Sequence, residues 1–281
     1  MITPPAGLLS VVATPIGRLD DITLRAIEVL RGADRVVAED TRRTRALLSH
    51  LGISGKPLEA VEAHADDARI GRVVARLVEG EKVALVTDAG SPAVSDPGAA
   101  LVRAAVAAGV RVEPVPGPSA VTAALSVAAF GGAGFRFFGF LPRSGGARRD
   151  ALERVCATEE PAVLFEAPSR MAESLNELAA LQPERPVVVA RELTKLHEEI
   201  VRGTLAEVAA EPREWIGEIT VVLGPHAAVT EAPSDEAIEA RIDAELGRGA
   251  HAREAADRVA AWSGLARREI YARVVARRTR G

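Results

Sequence analysis

The chain has 281 residues, 48% of them hydrophobic but only 3% aromatic, with a formal net charge of −4. That length holds two packed domains or one large one, with a core of Ala, Val and Leu rather than rings. The single cysteine, Cys156, rules out an intrachain disulfide and a cysteine-based zinc site. No apolar run is long enough to span a membrane, and the first residues do not pattern as a basic segment followed by an apolar core, so a soluble cytoplasmic protein is expected.

The first half alternates short apolar runs with helical patterns. Leu8–Ala13 reads as a strand. Asp20 and Asp21 can cap a helix carrying Ile22, Ala26, Val29 and Leu30 on one face. A strand over Arg35–Ala38 and helices over Thr41–Leu51 and Ala65–Val78 follow. Next come a strand over Val83–Val86, a helix over Ala99–Ala108 and a strand over Arg111–Val115. Such alternation predicts a mostly parallel sheet with helices on its faces. Pro114-Val-Pro-Gly-Pro118 breaks the pattern and opens a small-residue helix, Ser119–Ala129.

The second half begins with an extended Phe135–Phe140, then a basic loop and a helix to about Cys156. Strands are expected at Ala162–Glu166, Pro186–Glu192, Glu198–Arg202 and Ile219–Leu223, with a helix at Met171–Leu181. These strands need not alternate with helices, so a mixed sheet is expected. Pro225–Pro233 reads as a linker. Helices around Ile238–Leu246, Ala252–Ala261 and Leu265–Arg277 follow, the last two joined at Ser263-Gly264 like a helix-turn-helix unit. The expected division is 1–117, 118–226 and 227–281, with an α/β class for the first two parts and a helical extension for the third.

Charge is uneven along this plan. Residues 247–281 hold nine arginines against Glu254, Asp257 and Glu269, a local +6, which leaves −10 for the rest. An acidic body with a basic end suggests a polyanion contact there, or a solvated helical face with unbalanced charge.

Several chemistries are excluded. Gly132-Ala-Gly134 does not continue as G-x-G-x-x-G, and no G-x-x-x-x-G-K-[ST] occurs. The five histidines lack metal-ligand spacing, and no G-x-S-x-G elbow is present. What remains is a set of sharp strand-to-loop junctions. They are Thr14-Pro-Ile-Gly17, Glu39-Asp-Thr-Arg42, Thr87–Gly98, Pro116-Gly-Pro-Ser119, Phe165-Glu166 and Arg191-Glu-Leu-Thr-Lys195. Open α/β sheets bind ligands at the carboxyl ends of their strands, where most of these junctions are expected to lie. Backbone groups and carboxylates gathered there suit a small polar cofactor with an adenosine and an amino-acid part.

These junctions, with Arg170 and Gly217-Glu218, resemble the bacterial 16S ribosomal RNA cytidine-2′-O-methyltransferases of the tetrapyrrole-methylase superfamily. The likeness runs in order and with natural spacing from about Leu8 to Gly224. It implies two α/β domains with S-adenosylmethionine between them, a homodimer, and no metal. It also implies an acceptor 2′-hydroxyl on one decoding-centre cytidine of the small ribosomal subunit. The motif match carries cofactor binding onto Asp88, Gly90, Ser91, Pro92, Val94, Ser119 and Ala120, with Phe165, Ala190 and Gly217 from the second domain.

Methyl transfer needs a base for the acceptor hydroxyl. Glu39, Asp40, Glu166 and Glu192 are the candidate carboxylates, and Glu166 and Asp40 are preferred as catalytic residues. Arginines supply phosphate contacts. Arg18, Arg42, Arg43, Arg143, Arg148 and Arg149 flank the junctions, and Arg267, Arg268, Arg273 and Arg277 lie on the last helix, which could instead pack or dimerise. Two positions depart from the family: Arg18 stands where Asn is usual, and Ser169 where His is common. A tetrapyrrole or translation-factor methyltransferase of the same superfamily is the nearest rival reading. A non-enzymatic RNA-binding relative is the next.

Overall fold

The structure, a computed structural model, describes residues 7–61, 67–93, 98–130, 134–226, 234–247, 250–263 and 265–278. Val94, most of the expected linker (227–233) and Gly264 at the expected helix junction lie outside them. The chain divides into two compact units, Met1–His226 and Ala227–Gly281.

In the first unit, β1 (Leu8–Val12), β2 (Arg35–Ala38), β3 (Leu58–Ala60), β4 (Lys82–Val86) and β5 (Arg111–Val115) form a sheet in the order β3-β2-β4-β1-β5. Every neighbouring pair in it is parallel. Parallel strands need crossovers; α1 (Leu24–Gly32), α2 (Thr41–His50), α3 (Asp67–Val78) and α4 (Gly98–Ala107) supply them. The helices cover both faces, so the strands are apolar without alternation. On β4, Ala84 and Val86 pack with Leu30 and Leu48 on one face, while Val83 and Leu85 pack with Leu77 and Leu101 on the other. Burying each such Leu stabilises by roughly 1.5–3 kcal/mol. Pro114 is tolerated because β5 is an edge strand.

The cap expected at Asp20 and Asp21 is made instead by Thr23, whose hydroxyl accepts the Ala26 N–H at 3.1 Å. The two aspartates lie in a 3-10 turn, Leu19–Asp21. β3 and α8 (Leu205–Ala210) were not expected from periodicity; both are too short for a pattern to register.

β1 and β4 lie side by side, and their onward connections leave in opposite directions across the sheet, β1 toward β2 and β4 toward β5. A crevice at the carboxyl ends of such a pair is where open α/β sheets bind ligands.

The second sheet is mixed, as expected. It holds β6 (Arg136–Phe140), β7 (Ala162–Glu166), β8 (Pro186–Arg191), β9 (Glu199–Thr204) and β10 (Ile219–Leu223) in the order β6-β7-β10-β8-β9. Only β6–β7 is parallel, and its register shifts between Phe137 and Gly139. α5 (Ala120–Ala128) packs Val121 and Ala124 on one face, against Val163, Val188 and Val222. α6 (Gly145–Cys156), α7 (Pro168–Leu181) and α8 cover the other face, against Leu164, Val189 and Val221.

The second unit packs α9 (Asp235–Gly247), α10 (Ala252–Ser263) and α11 (Arg267–Arg278) around Ile238, Ile242, Val259, Ile270 and Val274. Its arginines tie the helices together. Arg273 pairs with Asp235, Arg277 with Asp243, Arg258 with Glu245 and Arg267 with Asp257. The local +6 is thus met by the acidic α9: residues 227–281 together hold ten arginines against nine carboxylates, +1.

Candidate functional site

Two adjoining cavities, of about 410 and 330 Å³, open in the first unit. The loop after β4 builds their common wall. Thr14 and Gly90 exchange backbone hydrogen bonds at 2.9 and 3.0 Å, and the Thr14 hydroxyl donates to the Thr87 carbonyl at 3.0 Å. Gly90 turns with φ +81°, a conformation favouring glycine. Asp88 then projects from the loop. Its Oδ1 accepts the Asp40 N–H at 3.0 Å, and Arg43 stands 3.5 Å from its Oδ2. Burial, with help from the charge of Glu39, raises the Asp88 pKa over the opposing pull of the Asp40 N–H and Arg43.

The larger cavity is lined by Asp88, Gly90, Ser91, Ser119, Ala120, Phe165 and Gly217, seven of the ten expected cofactor residues. Phe140 and Phe165, with centroids 5.6 Å apart, give it an aromatic side. Pro92 is buried in the turn beside it. Ala190 is 1% exposed within the core under α5, its strand pairs on both sides, and it is not among the residues lining the cavity.

Both preferred bases already have partners. Asp40 lines neither cavity. It caps α2, accepting the Arg42 N–H at 2.8 Å, and grips the Arg42 guanidinium at 2.9 and 3.2 Å. Those bonds hold its pKa down at about 2, which makes a poor proton acceptor. Glu166 lines the larger cavity but is 3% exposed and already committed. It accepts from the Ala167 N–H at 2.8 Å and the Ser174 hydroxyl at 2.6 Å, and pairs with Arg170 at 2.6 Å. Arg170 in turn donates to the Leu141 carbonyl, so the group anchors the turn after β6. Of the other two carboxylates, Glu39 lines the larger cavity and accepts the Thr87 hydroxyl at 2.8 Å.

The smaller cavity has Thr14, Pro15, Gly17 and Leu19 on one side, and Lys195 and Glu218 on the other. Glu192 and Thr194 both have positive φ, at 52° and 65°. This turn carries Thr194 to accept the Arg18 N–H at 3.0 Å. Glu192 accepts from Lys195 Nζ and from the Glu218 N–H, each at 2.8 Å, and Lys195 also reaches Glu218 at 3.1 Å. These bonds lower the Glu192 pKa.

The arginines separate by environment. Arg148 is 4% exposed and bonded to Glu177, Ser174 and the Pro142 carbonyl inside the fold. Arg143, Arg149 and Arg268 are exposed with no ion-pair partner among the described residues. Arg18 pairs with Asp20, Arg42 with Asp40 and Arg43 with Asp88. Arg267, Arg273 and Arg277 are held by their own unit's carboxylates.

Sequence reasoning passed over Thr220. It is 4% exposed, lines the larger cavity, and its hydroxyl has no partner among the described residues. The available signal was a lone hydroxyl in the otherwise apolar run Ile219–Leu223. Lys195 was read only as part of a motif.

The model of the tetrapyrrole (corrin/porphyrin) methylases matches residues 8–209. Ribosomal RNA small subunit methyltransferase I of Xylella fastidiosa strain Temecula1 is 48% identical over 228 residues, covering 79% of this chain and 82% of that protein. The enzyme of the same name from Mesorhizobium japonicum is 42% identical over 276 residues, covering 97% and 92%. Among solved structures, the uroporphyrin-III C-methyltransferase of Thermus thermophilus complexed with S-adenosylhomocysteine aligns with a TM-score of 0.57 at 23% identity, covering 78% and 97%.

Proposed function

Because the chain belongs to the tetrapyrrole methylase family, and within it to the ribosomal RNA small subunit methyltransferase I family, we propose that it methylates 16S ribosomal RNA with S-adenosylmethionine. The acceptor in this reading is the 2′-hydroxyl of a decoding-centre cytidine in the small ribosomal subunit, so the protein acts in the cytoplasm. The larger cavity is the donor site. The observation that carries this is the fit of its lining to the donor's parts. Phe140 and Phe165 offer an apolar side for the adenine, while the Thr220 hydroxyl, which has no partner among the described residues, offers a polar one. An unpaired buried hydroxyl is costly until a ligand satisfies it.

S-adenosylmethionine supplies an activated methyl group whose leaving group needs no proton. The chain's own task is therefore to orient donor and acceptor and to remove one proton. The Thr14–Gly90 bridge holds the loop that forms the shared wall, and the anchored Glu166 holds the opposite side. Arg143 and Arg149, exposed and without an ion-pair partner among the described residues, are offered for phosphate contact in this unit, with Arg253 and Arg268 in the other. The family resemblance further carries a homodimer, and a functional division of the first unit at 117/118; sedimentation of the purified chain tests the first.

The deciding experiment offers labelled S-adenosylmethionine with unmethylated small subunits, naked 16S RNA and a tetrapyrrole precursor in parallel. Label on a cytidine 2′-oxygen of the subunit is expected. Label on the tetrapyrrole alone would overturn the substrate assignment.

A further inference from the structure

A group that takes a proton during attack must touch the acceptor hydroxyl, and that hydroxyl must touch the methyl carbon. Both conditions meet at a wall common to the donor cavity and the acceptor's approach. The two cavities share Ile16, Arg43, Thr87, Asp88, Ala89 and Glu218. Of the two carboxylates there, Glu218 is 59% exposed and turned toward Lys195. Asp88 is 23% exposed; its Oδ1 accepts the Asp40 N–H, and its Oδ2 lies 3.5 Å from the Arg43 guanidinium as an ion pair. A carboxylate has about four lone-pair sites, so acceptor capacity remains on Asp88.

The smaller cavity also offers a hydrogen-bond donor. Lys195 has three N–H groups, two of them used by Glu192 and Glu218. Its stem crosses to the first sheet's loop because residue 17 is glycine: a Cβ there would lie 2.5 Å from Lys195 Cγ. Glu218, Glu192 and Asp88 offset Lys195 and Arg43, which favours a neutral polar group over a bare phosphate.

Resting on the methyltransferase reading above, we propose that the smaller cavity receives the acceptor's ribose, that Asp88 accepts the 2′-hydroxyl proton, and that Lys195 positions the ribose through its remaining N–H. In the step, the hydroxyl oxygen bonds to the methyl carbon as the carbon–sulfur bond breaks, and its electron pair stays on sulfur. The hydroxyl proton passes to Asp88, which later releases it to water. Asp40 and Glu166 have no place in this step.

The test compares wild type, Asp88→Asn and Lys195→Met. Donor affinity is read by calorimetry, and single-turnover transfer to unmethylated small subunits by label. Asp88→Asn is expected to keep donor affinity within about threefold and to lose about 10²–10⁴ in rate. Lys195→Met is expected to raise the half-saturating subunit concentration about tenfold, a shift of about 1.4 kcal/mol, with the saturated rate near wild type. A wild-type rate in Asp88→Asn, or a loss of donor affinity matching the loss of rate, overturns the assignment of the base. An unchanged half-saturation in Lys195→Met overturns the ribose contact. Should Asp88→Asn fail to fold, Asp88→Ser keeps an acceptor for the Asp40 N–H and carries the same expectations. Absence of transfer by wild type would instead sink the methyltransferase reading itself.

Discussion

Arg170 folds back one helical turn onto Glu166, with 2.6 Å between guanidinium nitrogen and carboxylate oxygen, and Glu166 is 3% exposed. Removing one partner of such a buried pair strands the other, which costs about 3 kcal/mol. Glu166→Gln should therefore lower unfolding stability by about that amount in urea titrations, while transfer falls less than about tenfold, since no proton is moved there. A stable variant with transfer reduced a thousandfold would return Glu166 to the role of base.

The same network separates two arginines that are adjacent in sequence. Arg148 donates to Glu177 at 2.5 and 2.9 Å inside the fold, whereas Arg149 is exposed. Arg148→Met should destabilise by about 3 kcal/mol. Arg143→Ala and Arg149→Ala should leave the melting temperature unchanged, and each should lower the salt slope of subunit binding by about one. Equal salt slopes for wild type and both surface variants would remove these residues from the RNA contact.

Gly217 has φ +81°, and a Cβ there would lie 2.4 Å from the Glu192 carboxylate. Gly217→Ala should cost about 1–2 kcal/mol from backbone conformation alone and more from the crowding of Glu192. Because Glu192 holds Lys195, subunit binding should weaken too. A variant with wild-type melting and binding would show that the turn relaxes freely.

Asp40 has a folded-state pKa of about 2, against an ordinary 3.8. A depressed acid stabilises the folded state above its unfolded pKa, and that contribution disappears as pH falls through the folded value. The melting difference between wild type and Asp40→Ala should therefore be present at pH 6 and shrink between about pH 4 and pH 2. A difference independent of pH would mean that the cap acts through a hydrogen bond common to both protonation states.

The helical unit carries a formal +1 rather than the +6 of its last 35 residues. Ending the chain at His226 should leave donor affinity unchanged. It should lower the salt slope of subunit binding by at least about two, the share of Arg253 and Arg268, which are exposed with no ion-pair partner among the described residues. An unchanged slope would remove both from the RNA contact.

Much of the plan was legible in the chain. Val83–Val86 reads as a buried strand because it is apolar at every position, and β4 lies between two other strands under helices on both faces. Gly90 and Ser91 stood out in the loop that follows, and both line the larger cavity. Short elements were less readable. Three residues of β3 carry too little period to register, and Asp20-Asp21 offered a plausible cap three residues before the real one.

The sequence by itself determined the α/β class, the parallel and mixed character of the two sheets and the junctions that face the cavities, because these are written in local periodicity and turn chemistry. The family came from the resemblance of those junction motifs, taken together, to known enzymes. Tertiary structure alone decided what each charged residue does. Asp40 and Asp88 are both aspartates after a strand, yet one is spent on a helix end and the other faces two cavities. Arg148 and Arg149 differ only in which side of α6 they occupy. A carboxylate or guanidinium takes its character from burial and from partners brought together across distant chain segments, and residue type does not encode those neighbours.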